Sequence, residues 1–135
     1  VWTDPSHKSV QDYNIALAKY AAENGADEVQ FDYVRFPAEG DQKDAMFSYE
    51  ASNPTWQRKD VITNFLEKAH AALKPYNVLF SIDVFGVMAW QRPVDLSHTG
   101  QDIVGMAKYC DVLSPMIYPS HFFGMDDDYL EEIGY

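Results

Sequence analysis

Helical and extended patterns alternate along this chain in one fixed order, and that alternation limits the folds open to it. Val1-Trp2-Thr3 reads as the tail of a strand, ended by Asp4-Pro5. Ser9, with Asp12 three residues on, gives a capping-box-like start. Val10, Tyr13, Leu17, Tyr20 and Ala21 then recur at helical spacing, and Asn24-Gly25 stops the helix. Residues 28–36 alternate and are rich in strand formers, with Pro37 closing them. Residues 38–52 read as a long polar loop on the strand's exit side. Asn53-Pro54 offers an N-cap and a first-turn proline for a second helix. Its predicted buried face is Val61, Phe65, Leu66, Ala69, Ala72 and Leu73, and Pro75 ends it. Residues 78–85 form the next strand, followed by an exit loop over 87–100. A short helix carries Ile103, Met106, Ala107 and Cys110. Residues 111–118 are again strand-like, although Pro115 weakens that assignment. Asp126-Asp127-Asp128 opens a last helix, where carboxylates suit the positive dipole end.

This order specifies the α/β class: parallel strands joined by right-handed crossover helices. Two architectures satisfy it, a doubly wound open sheet and part of a (β/α)8 barrel. The open sheet usually brings a glycine-rich phosphate loop. The chain has neither G-x-G-x-x-G nor G-K-[ST], so a nucleotide cofactor has no support. A complete barrel takes ~250 residues, and this chain has 135. The expectation is one domain over residues 1–135, about half of a TIM-type barrel. A half barrel leaves two sheet edges exposed. The chain is therefore expected to associate with itself or with the missing half.

Charge narrows the partners. The formal net charge is −11, with 10 Lys and Arg scattered among 21 Asp and Glu. Binding to nucleic acid or an anionic membrane needs clustered cations, so both are expected to be excluded. Apolar runs are too short to cross a bilayer, and the N-terminus does not read as a signal peptide. Hydrophobic residues at 47% and aromatics at 15% argue against disorder. The single cysteine, Cys110, excludes an internal disulfide and a Cys-based zinc site, and reads as a small core residue. H-x-H, H-E-x-x-H and EF-hand spacings are absent, so no metal or other cofactor is expected.

Alternation also sorts the strand side chains. Val29, Phe31 and Tyr33 oppose Gln30, Asp32 and Val34. Val78, Phe80, Ile82 and Val84 oppose Leu79, Ser81, Asp83 and Phe85. Leu113, Pro115 and Ile117 oppose Ser114, Met116 and Tyr118. One face suits a helix layer. The other brings Asp32 and Asp83 together near the C-terminal strand ends, where barrel active sites lie. Buried carboxylates are costly unless paired or used. Two at one level push each other's pKa values apart, as an acid and nucleophile pair requires. Strands ~4.8 Å apart bring such a pair within reach of the ~5–5.5 Å separation of retaining glycosidases. The bland alternative is that each aspartate caps a strand end or pairs with an arginine such as Arg35. Aromatic residues on the exit segments (Phe85, Trp90, Tyr118, Phe122 and Phe123) suit the C–H faces of sugars, and His121 is a candidate hydrogen-bond donor or acid.

The run Phe31-Asp32-Tyr33-Val34-Arg35-Phe36-Pro37 resembles the F-D-Y-[IV]-R-[FY]-P signature of bacterial glycoside-hydrolase-like (β/α)8 domains, a family described as a putative glycosyl hydrolase domain of unknown function. Trp2, Asp12 to Ala16, Ser81 to Gly86 and Ser114 to His121 extend the resemblance over nearly the whole chain. It implies a carbohydrate substrate, with Asp32 as nucleophile and Asp83 as acid/base or positioning group. Tyr33, Arg35, Trp90, Tyr118 and His121 would contact substrate, in an extracellular or cell-envelope setting. Two other readings stay open. One is a non-catalytic carbohydrate-binding or scaffold barrel. The other is a metal-assisted hydrolase using Asp32, Asp83 and His121.

Overall fold

The computed structural model describes residues 2–38, 40 and 44–118. Three strands, β1 (Glu28–Phe31), β2 (Leu79–Phe85) and β3 (Val112–Met116), form one parallel sheet in the order β1-β2-β3. Helix α1 (Lys8–Glu23) precedes β1. Helices α2 (Ser48–Ser52) and α3 (Arg58–Leu73) lie between β1 and β2. Helices α4 (Pro93–Thr99) and α5 (Ile103–Met106) lie between β2 and β3, and 3-10 turns flank β2. This is the expected α/β order. Three strands do not close a barrel, and among the described residues β1 and β3 each pair on one side only.

The core lies on one face of the sheet. Phe80, Ile82 and Val84 of β2 are buried against Val61, Ile62, Phe65, Leu66, Ala69 and Leu73 of α3, with Val29 and Phe31 of β1 packed alongside. Phe31 contacts Phe65 and Phe80 edge-on at centroid distances of 5.5 and 5.6 Å, a favourable arrangement for aromatic pairs. The α3 stripe is the one its spacing predicts, except that Ala72 is only half-buried and Ile62 is buried as well.

Helix α1 presents a different face from the one expected. Tyr13 and Tyr20 are 65% and 66% exposed, and Leu17 is also exposed. Gln11 and Ala18 are buried instead, with Ile15 and Ala22 packed on the core. Both stripes have helical spacing. The inner one contains small side chains that let α1 approach closely, while tyrosines keep a hydroxyl in water. The helix begins one residue before Ser9, with His7 as N-cap: its Nδ1 accepts the Ser9 N–H at 3.3 Å.

Three further boundaries shift. Asn53 ends α2 and does not begin α3, whose N-cap is Gln57 with Asp60 closing the capping box. The exit loop over 87–100 contains α4, framed by Pro93 in its first turn and Gly100 at φ 76° beyond its end. The long loop 38–52 contains α2. There the Asp4 carboxylate accepts the N–H (2.8 Å) and hydroxyl (2.6 Å) of Ser48 with one oxygen, and both groups of Ser6 with the other. On β3, Leu113 packs towards the core, but Pro115 is exposed, as is Ile117 just past the strand. Among the described residues β3 is an edge strand, paired with β2 alone, which is a position where proline is tolerated. The last helix predicted at Asp126 lies outside the described residues.

Candidate active site

The β1–β2 ladder runs from the pair Glu28–Leu79 to the pair Phe31–Ile82. The next residue on one strand is Asp32 and on the other Asp83. Asp83 stays in the sheet and pairs with Ser114 of β3. Its carboxylate accepts a hydrogen bond from Gln30 Nε2, and Ser81 Oγ donates to Glu28. Glu28, Gln30, Ser81 and Asp83 therefore share the face turned away from the helices, as alternation predicts.

At Asp32 the strand stops, although the alternating pattern runs on to Phe36. Tyr33 adopts φ 56°, in the left-handed region, and the Arg35 N–H turns back onto the Tyr33 carbonyl at 2.8 Å. A bulky non-glycine residue rarely holds this conformation. The turn breaks the period of two. Val34, expected on the polar face, is buried with the core beside Phe36. Tyr33, expected on the helix face, is 60% exposed. The Asp32 carboxylate is exposed and accepts the Tyr33 N–H at 2.6 Å.

Arg35 is only 5% exposed. Its guanidinium carbon lies 4.1 Å from the Phe85 ring centroid, 4.6 Å from Trp2 and 5.3 Å from Tyr33. Nη1 also donates to the Phe36 carbonyl at 3.1 Å. The cation joins three segments at the sheet's exit end: the lead-in to α1, the turn after β1 and the last residue of β2. Arginine suits this role because its flat, weakly hydrated head stacks on rings.

A cavity of about 490 Å³ opens beside this cluster, within the usual range for small-ligand sites. Trp2, Gln11, Asn14, Asp32, Tyr33 and Arg35 supply its polar and ring surfaces, with Phe31, Ile62 and Phe65 among its apolar ones. Asp83 is not part of this lining.

The family model for a "Putative glycosyl hydrolase domain" matches residues 1–129. The chain belongs to that family. No curated protein and no solved structure gives a significant match.

In this member of the family, the other residues expected to contact a substrate are spread along the exit side. Trp90 is exposed in the turn after β2, and Tyr118 is exposed two residues past β3. His121 lies outside the described residues. Among the described residues, no three His, Cys, Asp or Glu side chains are grouped to hold a metal ion, and no helix is long and apolar enough to cross a membrane.

One residue of the site carries no motif. Gln101, in the segment between α4 and α5, has no solvent exposure. Its Nε2 donates to the carbonyls of Val34 (3.2 Å) and Asp83 (3.4 Å), and its Oε1 accepts the Phe85 N–H (3.1 Å). A polar residue after a glycine reads as loop. The only hint in the sequence is that an uncharged amide can satisfy donors and acceptors together in a buried place.

Proposed function

We propose that this chain carries the carboxylate machinery of a glycoside hydrolase acting on a polysaccharide, as one segment of a (β/α)8 barrel. One observation carries the reading: Asp32 and Asp83 are the successive residues after the last β1–β2 pair, at the exit ends of neighbouring parallel strands. Exit ends are where barrel enzymes build their sites. The left-handed Tyr33 beside Asp32 adds support, because backbone strain concentrates at functional segments. In this reading Asp32 attacks the anomeric carbon or stabilises its developing positive charge. Asp83 supplies the proton to the leaving oxygen. Tyr33, Trp90 and Tyr118 offer ring surfaces to the sugar's C–H faces, and Arg35 ties the Tyr33 turn to Trp2 and to the end of β2.

A second reading is sugar binding without cleavage. It is favoured by Asp32 lining the cavity while Asp83 does not. The two separate in one experiment. The full-length protein, Asp32→Asn and Asp83→Asn are incubated with a panel of soluble polysaccharides, and release of reducing ends and retention in affinity gels are measured. The hydrolase reading expects wild-type turnover that falls by about 10³-fold or more in Asp32→Asn. Equal turnover in all three proteins overturns it. Retention of a polysaccharide with no turnover selects the binding module.

A further inference from the structure

The ladder between β1 and β2 ends at Phe31 and Ile82, yet their exit segments must hold a fixed spacing if Asp32 and Asp83 are to act on one bond. The side chain of Gln101 spans that gap. Its amide reaches the Val34 carbonyl on one side, and the Asp83 carbonyl and Phe85 N–H on the other. A primary amide has the two donors and the acceptor this place needs. The segment that holds it is itself tied down. The Gln101 N–H donates to Thr99 Oγ1 at 3.2 Å, and its carbonyl accepts from Gln91 Nε2 at 3.2 Å. The Thr99 carbonyl accepts the Phe36 N–H at 2.9 Å. The loop after β2 thus replaces the missing rungs between β1 and β2.

We propose that Gln101 is a positioning residue that sets the spacing between the two strand exits bearing Asp32 and Asp83. Its importance for catalysis rests on the hydrolase reading above, whereas its effect on the spacing does not. Glutamate at this position keeps the size and the acceptor but loses both donors, so the Val34 and Asp83 carbonyls lose their partner. Catalytic groups displaced by ~1 Å cost about 100-fold in rate.

The test uses isotope-labelled full-length protein and two variants, Gln101→Glu and Gln101→Met. In the unmodified protein, scalar couplings across hydrogen bonds are sought from the Gln101 side-chain nitrogen to the Val34 and Asp83 carbonyl carbons. Their absence, in a spectrum that shows such couplings within the β1–β2 ladder, overturns the proposal without any variant. In each folded variant, the carboxyl carbon resonances of Asp32 and Asp83 are expected to move together, while the methyl resonances of Leu66 and Leu73 in the core stay in place. Unmoved carboxyl resonances overturn it as well. Where turnover is measurable, kcat is expected to drop about 10- to 100-fold with KM within about two-fold. Coupled resonance shifts in a protein that cleaves no polysaccharide reject the hydrolase reading and leave the positioning role standing. Full activity in Gln101→Glu rejects the positioning role alone.

Discussion

Gln30 donates its side-chain N–H to the Asp83 carboxylate, although its paired neighbour on β2 is Ser81. The bond runs diagonally across the two strands and draws the Asp83 carboxylate towards β1. Gln30→Glu would set two negative charges in that contact, near Glu28 on the same face. Facing like charges on a sheet are unfavourable. The expected result at neutral pH is a loss of about 1 kcal/mol in stability, read by urea denaturation. Because the repulsion is between charges, added salt should narrow the difference from wild type. A variant equally destabilised at low and at high salt contradicts the contact.

Arg35 is held by rings as well as by hydrogen bonding, and this predicts a particular failure of Arg35→Lys. Lysine keeps the charge but loses the plane that lies 4.1 Å from Phe85 and 4.6 Å from Trp2. Its compact ammonium is also more strongly hydrated and resists burial. The substitution is expected to destabilise the protein by about 2 kcal/mol in chemical denaturation. The Trp2 indole resonance should shift because its ring loses its cover. An unchanged midpoint would mean that the stacking contributes nothing.

How far the sequence reveals this molecule depends on which forces a segment obeys. Where one face meets the core, the apolar positions are legible: Phe80, Ile82 and Val84 of β2 are buried as their alternation predicts, although Ser81 between them is buried too, and most of the α3 stripe is buried as spaced. Helix α1 offers two stripes of equal period, and tertiary packing selected the one with the smaller residues. The end of β1 is hidden for another reason. The residues Tyr33 to Phe36 are good strand formers, and only the left-handed φ at Tyr33 shows that the ladder stops before them. Alternation made legible only the polar face of β2 that Asp83 shares with Ser81, while its level with Asp32 rests on the β1–β2 register. The brace between their segments was not legible, because Gln101 acts on backbone atoms brought together by the fold.

Gly100 shows how tightly that brace is seated. It ends α4 at φ 76°, and a Cβ added there would lie 2.8 Å from the carbonyl carbon and oxygen of Arg58 at the start of α3. Gly100→Ala therefore meets both a disfavoured conformation and a backbone clash that no rotamer relieves. The expected cost is more than about 2 kcal/mol, read by denaturation. Amide exchange at Phe85, whose N–H bonds to the neighbouring Gln101, should quicken more than exchange in the middle of α3. Uniform quickening would instead mean that Gly100 matters only to global stability.

Asp4 gives the fold an acid-sensitive tie. Partial burial pushes its carboxyl up, but hydrogen bonds from Ser48 and Ser6 outweigh that and hold it below its usual 3.8. A carboxyl lowered in the folded state contributes stability that is fully present above the unfolded pKa, and loses it as pH falls through the lower folded value. Asp4→Asn should therefore be less stable than wild type at pH 7, and the gap should close below about pH 4 as the wild-type carboxyl takes up its proton. Urea denaturation of both proteins between pH 7 and pH 3 measures the gap directly. The same bonds fasten α2, so amide exchange at Ser48 and Tyr49 should rise in the variant while exchange in α3 stays slow. A gap that is constant across this range would show that the Asp4 charge plays no part in the tie.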